Sequence, residues 1–253
     1  MNANVPILGS LALCLLATSA ALGGGPNLAS KKFNIAGGYA KRHDLRQALD
    51  TLRESFQLGY PVPSRVLEFP EFQPLLLDDE ARKVLRELLR NHAREPSVNM
   101  VTTSEPGSPL VVSGFVRDAD GKPVVGAKIH VFHADDGGRY TPSQAMNEPN
   151  ARLFSFLVAG ADGKFQFRTV RPGEYPERAN ATGDARLIPR HVHFEITAPG
   201  FANYGGQMIF DDDQRATDYW RDWAKKMRNP TAHVVQDLDG LRHASCEFIL
   251  ERK

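Results

Sequence analysis

Apolar positions recur along this chain with two different periods, and the period changes once, close to residue 109. In "HDLRQALDTLRESF" (43–56) Leu45, Ala48, Leu49, Leu52 and Phe56 fall at helical spacing. In "DDEARKVLRELLRNHA" (78–93) Ala81, Val84, Leu85, Leu88 and Leu89 do the same, with Asp78 or Asp79 placed to cap the helix N-terminus. The intervening "GYPVPSRVLEFPEFQP" is interrupted by prolines and cannot form one helix, because each interior proline removes an amide donor and clashes with the preceding turn. Residues from about 40 to 95 therefore read as a helical region that packs or dimerises, with nothing reactive in it; His43 and His92 read as solvent-edge residues.

"EPGSP" (105–109) marks the change, after which the period is two. "LVVSGFVRD", "VVGAKIHVFHA", "RLFSFLV", "DGKFQFRTV", "RHVHFEIT", "GGQMIF" and the terminal "SCEFIL" read as short strands separated by Gly, Asp and Pro turns. "TDYWRDWAKKM" reads as a short helix that buries Tyr219, Trp220 and Trp223 in part. The expected fold is mainly β: an antiparallel β-sandwich core over residues 109–253 with an N-terminal helical appendage over 26–108. In "RHVHFEIT" the alternation is clean. Val192, Phe194 and Ile196 face a core, which turns His191, His193 and Glu195 to the other side of the strand.

Composition changes this picture little: 42% of the 253 residues are apolar, 24% are charged and the net charge is +1. No basic stripe with interleaved aromatics is present, which argues against nucleic acid as a partner. The first charged side chain is Lys31, and the preceding "VPILGSLALCLLATSAALGGG" reads as a secretory signal within residues 1–25, cut near Ser19, Ala20 and Ala21. The expectation is export to the periplasm or beyond; a retained anchor is the alternative, since Val5 to Leu22 is barely long enough to span a bilayer. Cys14 would leave with such a signal, so Cys246 has no internal disulfide partner and reads as a small buried hydrophobe.

Two residues apart on a strand sets the α-carbons of His191 and His193 roughly 6.6 Å apart on one face. From there two imidazoles can converge on a metal ion about 2.1 Å from each nitrogen. By itself the pair reads more readily as polar residues on a wet sheet face. Two tyrosines stand at turns just upstream, Tyr140 in "HADDGGRYTP" and Tyr175 in "RPGEYPE", each flanked by Gly or Pro.

Taken in order, "VVSGFVRDADGKPVVGAKIHVFHADDGGRY", "DGKFQFRTVRPGEYP", "PRHVHFEI" and "GGQMIF" resemble the intradiol ring-cleavage dioxygenases, the catechol and protocatechuate dioxygenases that use non-haem ferric iron. The resemblance runs from residue 110 to about 212. It implies Tyr140, Tyr175, His191 and His193 as ligands of Fe³⁺. Phenolates are hard anionic donors suited to that ion, and neutral imidazoles complete the set without adding charge. It further implies a small catechol-type substrate and O₂ as partners, with Tyr175 the labile ligand that accepts a substrate proton, and a muconate-type diacid as product. Gln207 matches a family glutamine near the substrate. The family arginine three positions before the first histidine is here Ile188; Arg186 is the expected stand-in through a loop shift, since Arg190 should point away from His191. Family members commonly associate, so a homodimer is an expectation.

Two other readings stand beside this one. "GFVRDADGKPVVGAKIHVF" alone also resembles carboxypeptidase-regulatory-like and collagen-adhesin B-type modules, which bind or space rather than catalyse. Those modules have no reason to supply two tyrosines and two histidines in this order. An iron-binding relative that has lost turnover is the other, and the departure at Ile188 permits it.

Overall fold

Asp78 accepts a hydrogen bond from the Ala81 amide at 2.8 Å and so caps the helix Asp79–His92. A computed structural model of the protein describes residues 25–143, 148–177 and 187–253; the proposed signal segment and Arg186 lie outside the described residues. Among the described residues four helices come first: α1 (Gly25–Lys41), α2 (Leu45–Gln57), α3 (Gln73–Leu77) and α4 (Asp79–His92). The proline-rich stretch between α2 and α3 forms two short 3₁₀ turns, Pro63–Leu67 and Pro70–Phe72, in keeping with its broken pattern. Most of α1 falls inside the expected 26–108 helical region but before residue 40, where a helical period becomes readable. It buries Ala29, Phe33, Ala36 and Ala40, while Gly37 and Gly38 dilute its propensity signal. One position departs from the expected apolar stripe of α4: Val84 is 38% exposed.

The β strands are β1 (Ser97–Asn99), β2 (Pro109–Asp118), β3 (Lys128–His133), β4 (Leu153–Val158), β5 (Lys164–Val170), β6 (Tyr175–Pro176), β7 (Leu187–Ile188), β8 (His191–Thr197), β9 (Tyr204–Phe210), β10 (Thr231–Gln236) and β11 (Arg242–Leu250). Helix α5 (Asp218–Lys226) lies between β9 and β10, with Tyr219 55% exposed, against the expectation that it is partly buried. Among the described residues nine strands form one sheet in the order β1-β5-β2-β11-β10-β9-β8-β3-β4, and β6 pairs with β7.

The fold is mainly β with an N-terminal helical region, as read, but the sheet is not purely antiparallel. Pairs β1·β5, β2·β11 and β9·β10 run parallel, so the sheet is mixed and barrel-like. Alternation within a strand reports which face is buried. It carries no information about the direction of the neighbour, which here depends on the last strand returning between β2 and β10.

The sheet curls so that Phe165 and Phe167 of β5, Phe194 of β8 and Phe248 of β11 share one core. Phe194 and Phe248 lie 4.5 Å apart between ring centroids. The opposite face of β3, β4 and β8 is also buried, under the helices: Phe132, Phe154, Phe156, Tyr140 and Tyr175 belong to the same apolar cluster as Leu52, Phe72, Leu85 and Leu89. The helical region is therefore the roof over that face rather than a detached appendage. Among the described residues no helix is long and apolar enough to cross a membrane.

Candidate metal centre

Strand β8 keeps the two faces that the alternation of "HVHFEIT" implies, and around the histidines both are buried. Val192, Phe194 and Ile196 point into the barrel core, while His191 and His193 turn toward the helices at 2% and 8% exposure. Register then builds a row across the sheet. His193 stands opposite Gln207 of β9 on one side and Phe132 of β3 on the other, and Phe132 stands opposite Phe154 of β4. Directly paired residues share a face. The Phe132 and His193 rings are stacked 4.5 Å apart and 4° from parallel, which holds the imidazole in place.

The tyrosines arrive on turns. Asp135 to Tyr140 forms a tight loop in which the Gly138 amide donates to the Asp135 carbonyl at 3.0 Å, and the Gly173 amide donates to the same carbonyl at 2.8 Å. A β-carbon on Gly173 would lie 2.3 Å from the Asp136 carbonyl oxygen, and one on Gly138 would lie 2.5 Å from the Glu174 oxygen. Only glycine permits these two backbones to touch, and Gly138 also has φ +75°, a region that favours it. The approach brings Tyr140 and Tyr175 over β8. The short β6–β7 pairing sets Ile188 directly opposite Tyr175.

Four donor atoms meet as a result. Tyr140 Oη is 3.0 Å from Tyr175 Oη, 3.3 Å from His191 Nε2 and 2.8 Å from His193 Nε2. Tyr175 Oη is 3.1 Å from His191 Nε2, and the two Nε2 atoms are 3.1 Å apart. His191 Nδ1 donates to the Pro189 carbonyl at 2.7 Å, which puts the ring proton on Nδ1 and turns the Nε2 lone pair to the cluster. Burial lowers the His191 pKa and drives that of His193 down to about 3, with the neighbouring histidines adding to the latter shift. Both rings are neutral at ordinary pH, the form that ligates metals. Burial also raises both phenol pKa values, and each phenol is further disfavoured as an anion by the Glu148 carboxylate.

These residues fit a metal ion. A tetrahedral shell of donors at about 2 Å has edges of about 3.3 Å, close to the distances here. Two phenols and two neutral imidazoles offer hard oxygen and borderline nitrogen to a hard trivalent ion, which would also supply the positive charge that ionised phenols need in a buried site.

Other expected residues fall as follows. Gln207 lies beside the cluster, in register with His193, and its backbone amide donates to Asn229. Arg190 points away, as the strand alternation implied. Its amide donates to Asp213 at 2.8 Å and its guanidinium reaches Asp213 and Glu174. His133 is fully buried and structural: Nδ1 donates to the Ala134 carbonyl and Nε2 bonds the Thr169 hydroxyl.

Three groups near the cluster carry no motif. Glu148 places Oε2 3.9 Å from His193 Nε2. Arg82 and Arg86 of α4 are buried and hold the segment that follows: Arg82 Nε donates to the Asn150 carbonyl at 2.8 Å and Arg86 to the Ala151 carbonyl at 3.1 Å. Arg86 also donates to His130 Nε2 at 2.9 Å, and His130 Nδ1 donates to Glu195 at 2.8 Å. The helical region thus contributes polar anchors beside the centre, contrary to the reading that it only packs. A signal was present: Arg82, Arg86 and Leu89 follow helical spacing along one stripe, an unusual place for arginine.

Comparison with known proteins gives a family and several relatives. The family described as "Dioxygenase" matches residues 87–244. The chain is 35% identical over 115 residues to hydroxyquinol 1,2-dioxygenase from Rhizobium sp. (strain MTP-10005), covering 42% of this chain and 39% of that protein. It is 35% identical over 135 residues to catechol 1,2-dioxygenase 1 from Acinetobacter lwoffii, covering 46% of this chain and 43% of the relative. The matched part is thus less than half the length of either relative. Among solved structures, hydroxyquinol 1,2-dioxygenase from Pseudomonas putida DLL-E4 superposes with a TM-score of 0.50 at 25% identity, over 64% of this chain and 62% of that one.

Proposed function

The chain belongs to the intradiol ring-cleavage dioxygenase family, and from that footing we propose that it is a non-haem Fe³⁺ dioxygenase. It opens the ring of a catechol-type substrate between the two hydroxylated carbons, adding both atoms of O₂ to give a muconate-type diacid. The observation that carries this reading is the meeting of Tyr140, Tyr175, His191 and His193 at 2.8–3.3 Å in a buried site. Relatives named for catechol, hydroxyquinol and protocatechuate support a ring-hydroxylated aromatic substrate.

Tyr140, Tyr175, His191 and His193 are the residues that would hold ferric iron, which would supply the Lewis acidity that keeps phenols ionised and activates a catechol toward O₂. The protein's own groups do the rest. His191 and His193 stay neutral and fixed, one by the Pro189 carbonyl and the other by the Phe132 ring. Tyr175, at a two-strand turn, would be the residue that makes way for the substrate and accepts a substrate hydroxyl proton at Oη. Gln207, beside His193, hydrogen-bonds the incoming ring oxygens. The helices and Phe132, Phe154 and Ile188 form an apolar wall that keeps bulk water out.

A second reading, an iron-binding relative without turnover, is favoured by one observation. Ile188 faces Tyr175 where the family places arginine, and Arg190 is tied to Asp213 and Glu174. One experiment separates the two. The protein is loaded with Fe³⁺, and its visible spectrum and its O₂ uptake with catechol and hydroxyquinol are recorded. A red-brown charge-transfer band with stoichiometric O₂ uptake and a diacid product supports the enzyme. Colour without uptake supports the silent relative, and a colourless iron-loaded protein overturns both.

A further inference from the structure

Glu174 comes immediately before Tyr175 in the chain and Arg190 immediately before His191, so each is the neighbour of a candidate ligand. One atom joins them to a third residue. Arg190 Nη1 donates to Asp213 Oδ1 at 3.2 Å and to Glu174 Oε2 at 3.5 Å. Arg215 spans the same two acids: its amide donates to Asp213 Oδ1 at 3.1 Å and its Nε to Glu174 Oε2 at 3.2 Å. Asp213 is the buried end, with its side chain 1% exposed, and the Arg190 amide donates to its other oxygen at 2.8 Å.

A buried carboxylate keeps its donors, because a charge left unpaired away from water is costly. Arg190 supplies two of them, amide and guanidinium, so the backbone entering β8 is fixed to Asp213. The segment carrying Tyr175 has less to hold it. Its ladder with β7 pairs Tyr175 with Ile188 and Pro176 with Leu187, and stops short of Arg190. On its other flank Arg171 makes a two-pronged pair with Asp212 at 2.6 and 2.8 Å. Between these holds, the Glu174–Arg190 contact links the tyrosine turn to the start of β8, where Tyr175 Oη stands 3.1 Å from His191 Nε2. The Arg190 and Glu174 side chains are 32% and 27% exposed, so solvent screens the link in part and its effect is modest in size.

We infer that Arg190 is a positioning residue: by joining buried Asp213 to Glu174 it ties the turn that carries Tyr175 to the start of β8, and so governs how readily Tyr175 parts from His191. The consequence, exchange of Tyr175 for a substrate, rests on the proposed ferric site. The tie itself belongs to the metal-free chain. With Arg190 in place the turn stays seated and Tyr175 moves by rotating its own side chain. Without it the turn and ring move together, and an incoming catechol meets less resistance.

Three variants of the full chain test this. Arg190→Met removes the charge, Glu174→Gln removes the acid, and Arg190→Lys keeps a single charged donor in the role of Nη1. Hydrogen exchange of the metal-free protein reads the tie. Glu174→Gln should speed amide exchange at 190–192, and Arg190→Met at 173–175, each roughly 2–5-fold, the size of a partly exposed ion pair. Arg190→Lys should stay close to wild type, and the Glu174→Gln effect at 190–192 should shrink in an Arg190→Met background. In the Fe³⁺-loaded protein without O₂, stopped-flow mixing with catechol should show a roughly 2–5-fold faster on-rate for Arg190→Met. Unchanged exchange in both segments overturns the tie, as does an Arg190→Lys protein that behaves like Arg190→Met, or a Glu174→Gln effect of full size when Arg190 is already gone. Faster exchange with a wild-type catechol on-rate overturns the role at Tyr175. Circular dichroism establishes folding; if Arg190→Met does not fold, Glu174→Gln, a change at a partly exposed side chain, decides by the same two readouts. Failure of the ferric-site reading looks different: wild-type protein takes up no Fe³⁺, the role at Tyr175 falls with it, and exchange alone decides the tie.

Discussion

Gly138 and Gly173 lie backbone against backbone: a β-carbon placed on Gly173 would stand 2.4 Å from the Gly138 amide nitrogen. This contact lets two turns, 35 residues apart at their tyrosines, bring Tyr140 and Tyr175 within 3.0 Å. Replacing Gly173 with alanine forces the turns apart. The expected cost is about 1–3 kcal/mol of folding stability from overpacking. Urea unfolding measures it, and iron content falls with it. A Gly173→Ala protein with wild-type stability and full iron would show that the contact does not set the centre.

The four donors are not equivalent in the proposed site. Tyr140→Phe or His193→Ala should lower iron affinity by at least the ~10–100-fold typical of disturbing a metal site's supporting groups. Tyr175→Phe should retain more iron and chiefly slow catechol binding or product release. Metal analysis with stopped-flow binding distinguishes the two classes. Full iron occupancy in His193→Ala would contradict the assignment.

Arg86 should matter for stability although it touches no donor of the cluster. Burial lowers its pKa to about 10, so it is still charged at neutral pH, and it bonds both the Ala151 carbonyl and His130. Arg86→Met keeps much of the volume but strands those acceptors, at about 2–3 kcal/mol. Denaturant titration reads this loss. In the iron-loaded protein the charge-transfer band should broaden as the segment after Glu148 loosens.

Acid should weaken the fold in a window that His133 helps to define. Burial holds its folded pKa down to about 4, below the ordinary 6.5. Between these values the unfolded chain binds the extra proton and the folded chain does not. The stability contribution is therefore complete above about pH 6.5 and is lost as pH falls toward 4, up to about 3 kcal/mol in all. His133→Asn should flatten this part of the pH–stability curve relative to wild type. Equal slopes in the two proteins would exclude His133 as the cause.

Much of this architecture was legible from local pattern. The alternation in "RHVHFEIT" separated Val192, Phe194 and Ile196 from His191 and His193, and the structure keeps that separation. The Asp78 cap, the proline-broken stretch before α3 and the glycines beside both tyrosines were also readable, since each is a short-range consequence of backbone sterics or of a single hydrogen bond. The same alternation predicted that Arg190 turns away from His191. What pattern missed is equally specific. It expected Tyr219 to be partly buried and Val84 to lie on the apolar stripe, yet both are exposed, because the helix faces that meet a partner depend on where the partner sits. It also assigned the helices a passive role.

The sequence by itself determined helices α2 and α4, the longer strands, the apolar face of β8 and the residue types able to hold a hard metal ion. These follow from side-chain period, turn chemistry and donor identity, all of which act within a few residues. Only the tertiary structure decided that β2 and β11 run parallel, that the helices close over the histidine face, and that Glu148 stands beside His193 on a segment held by Arg82 and Arg86. Those relations join segments tens of residues apart. They depend on how the barrel-like sheet curls and where α4 settles, which no local periodicity encodes.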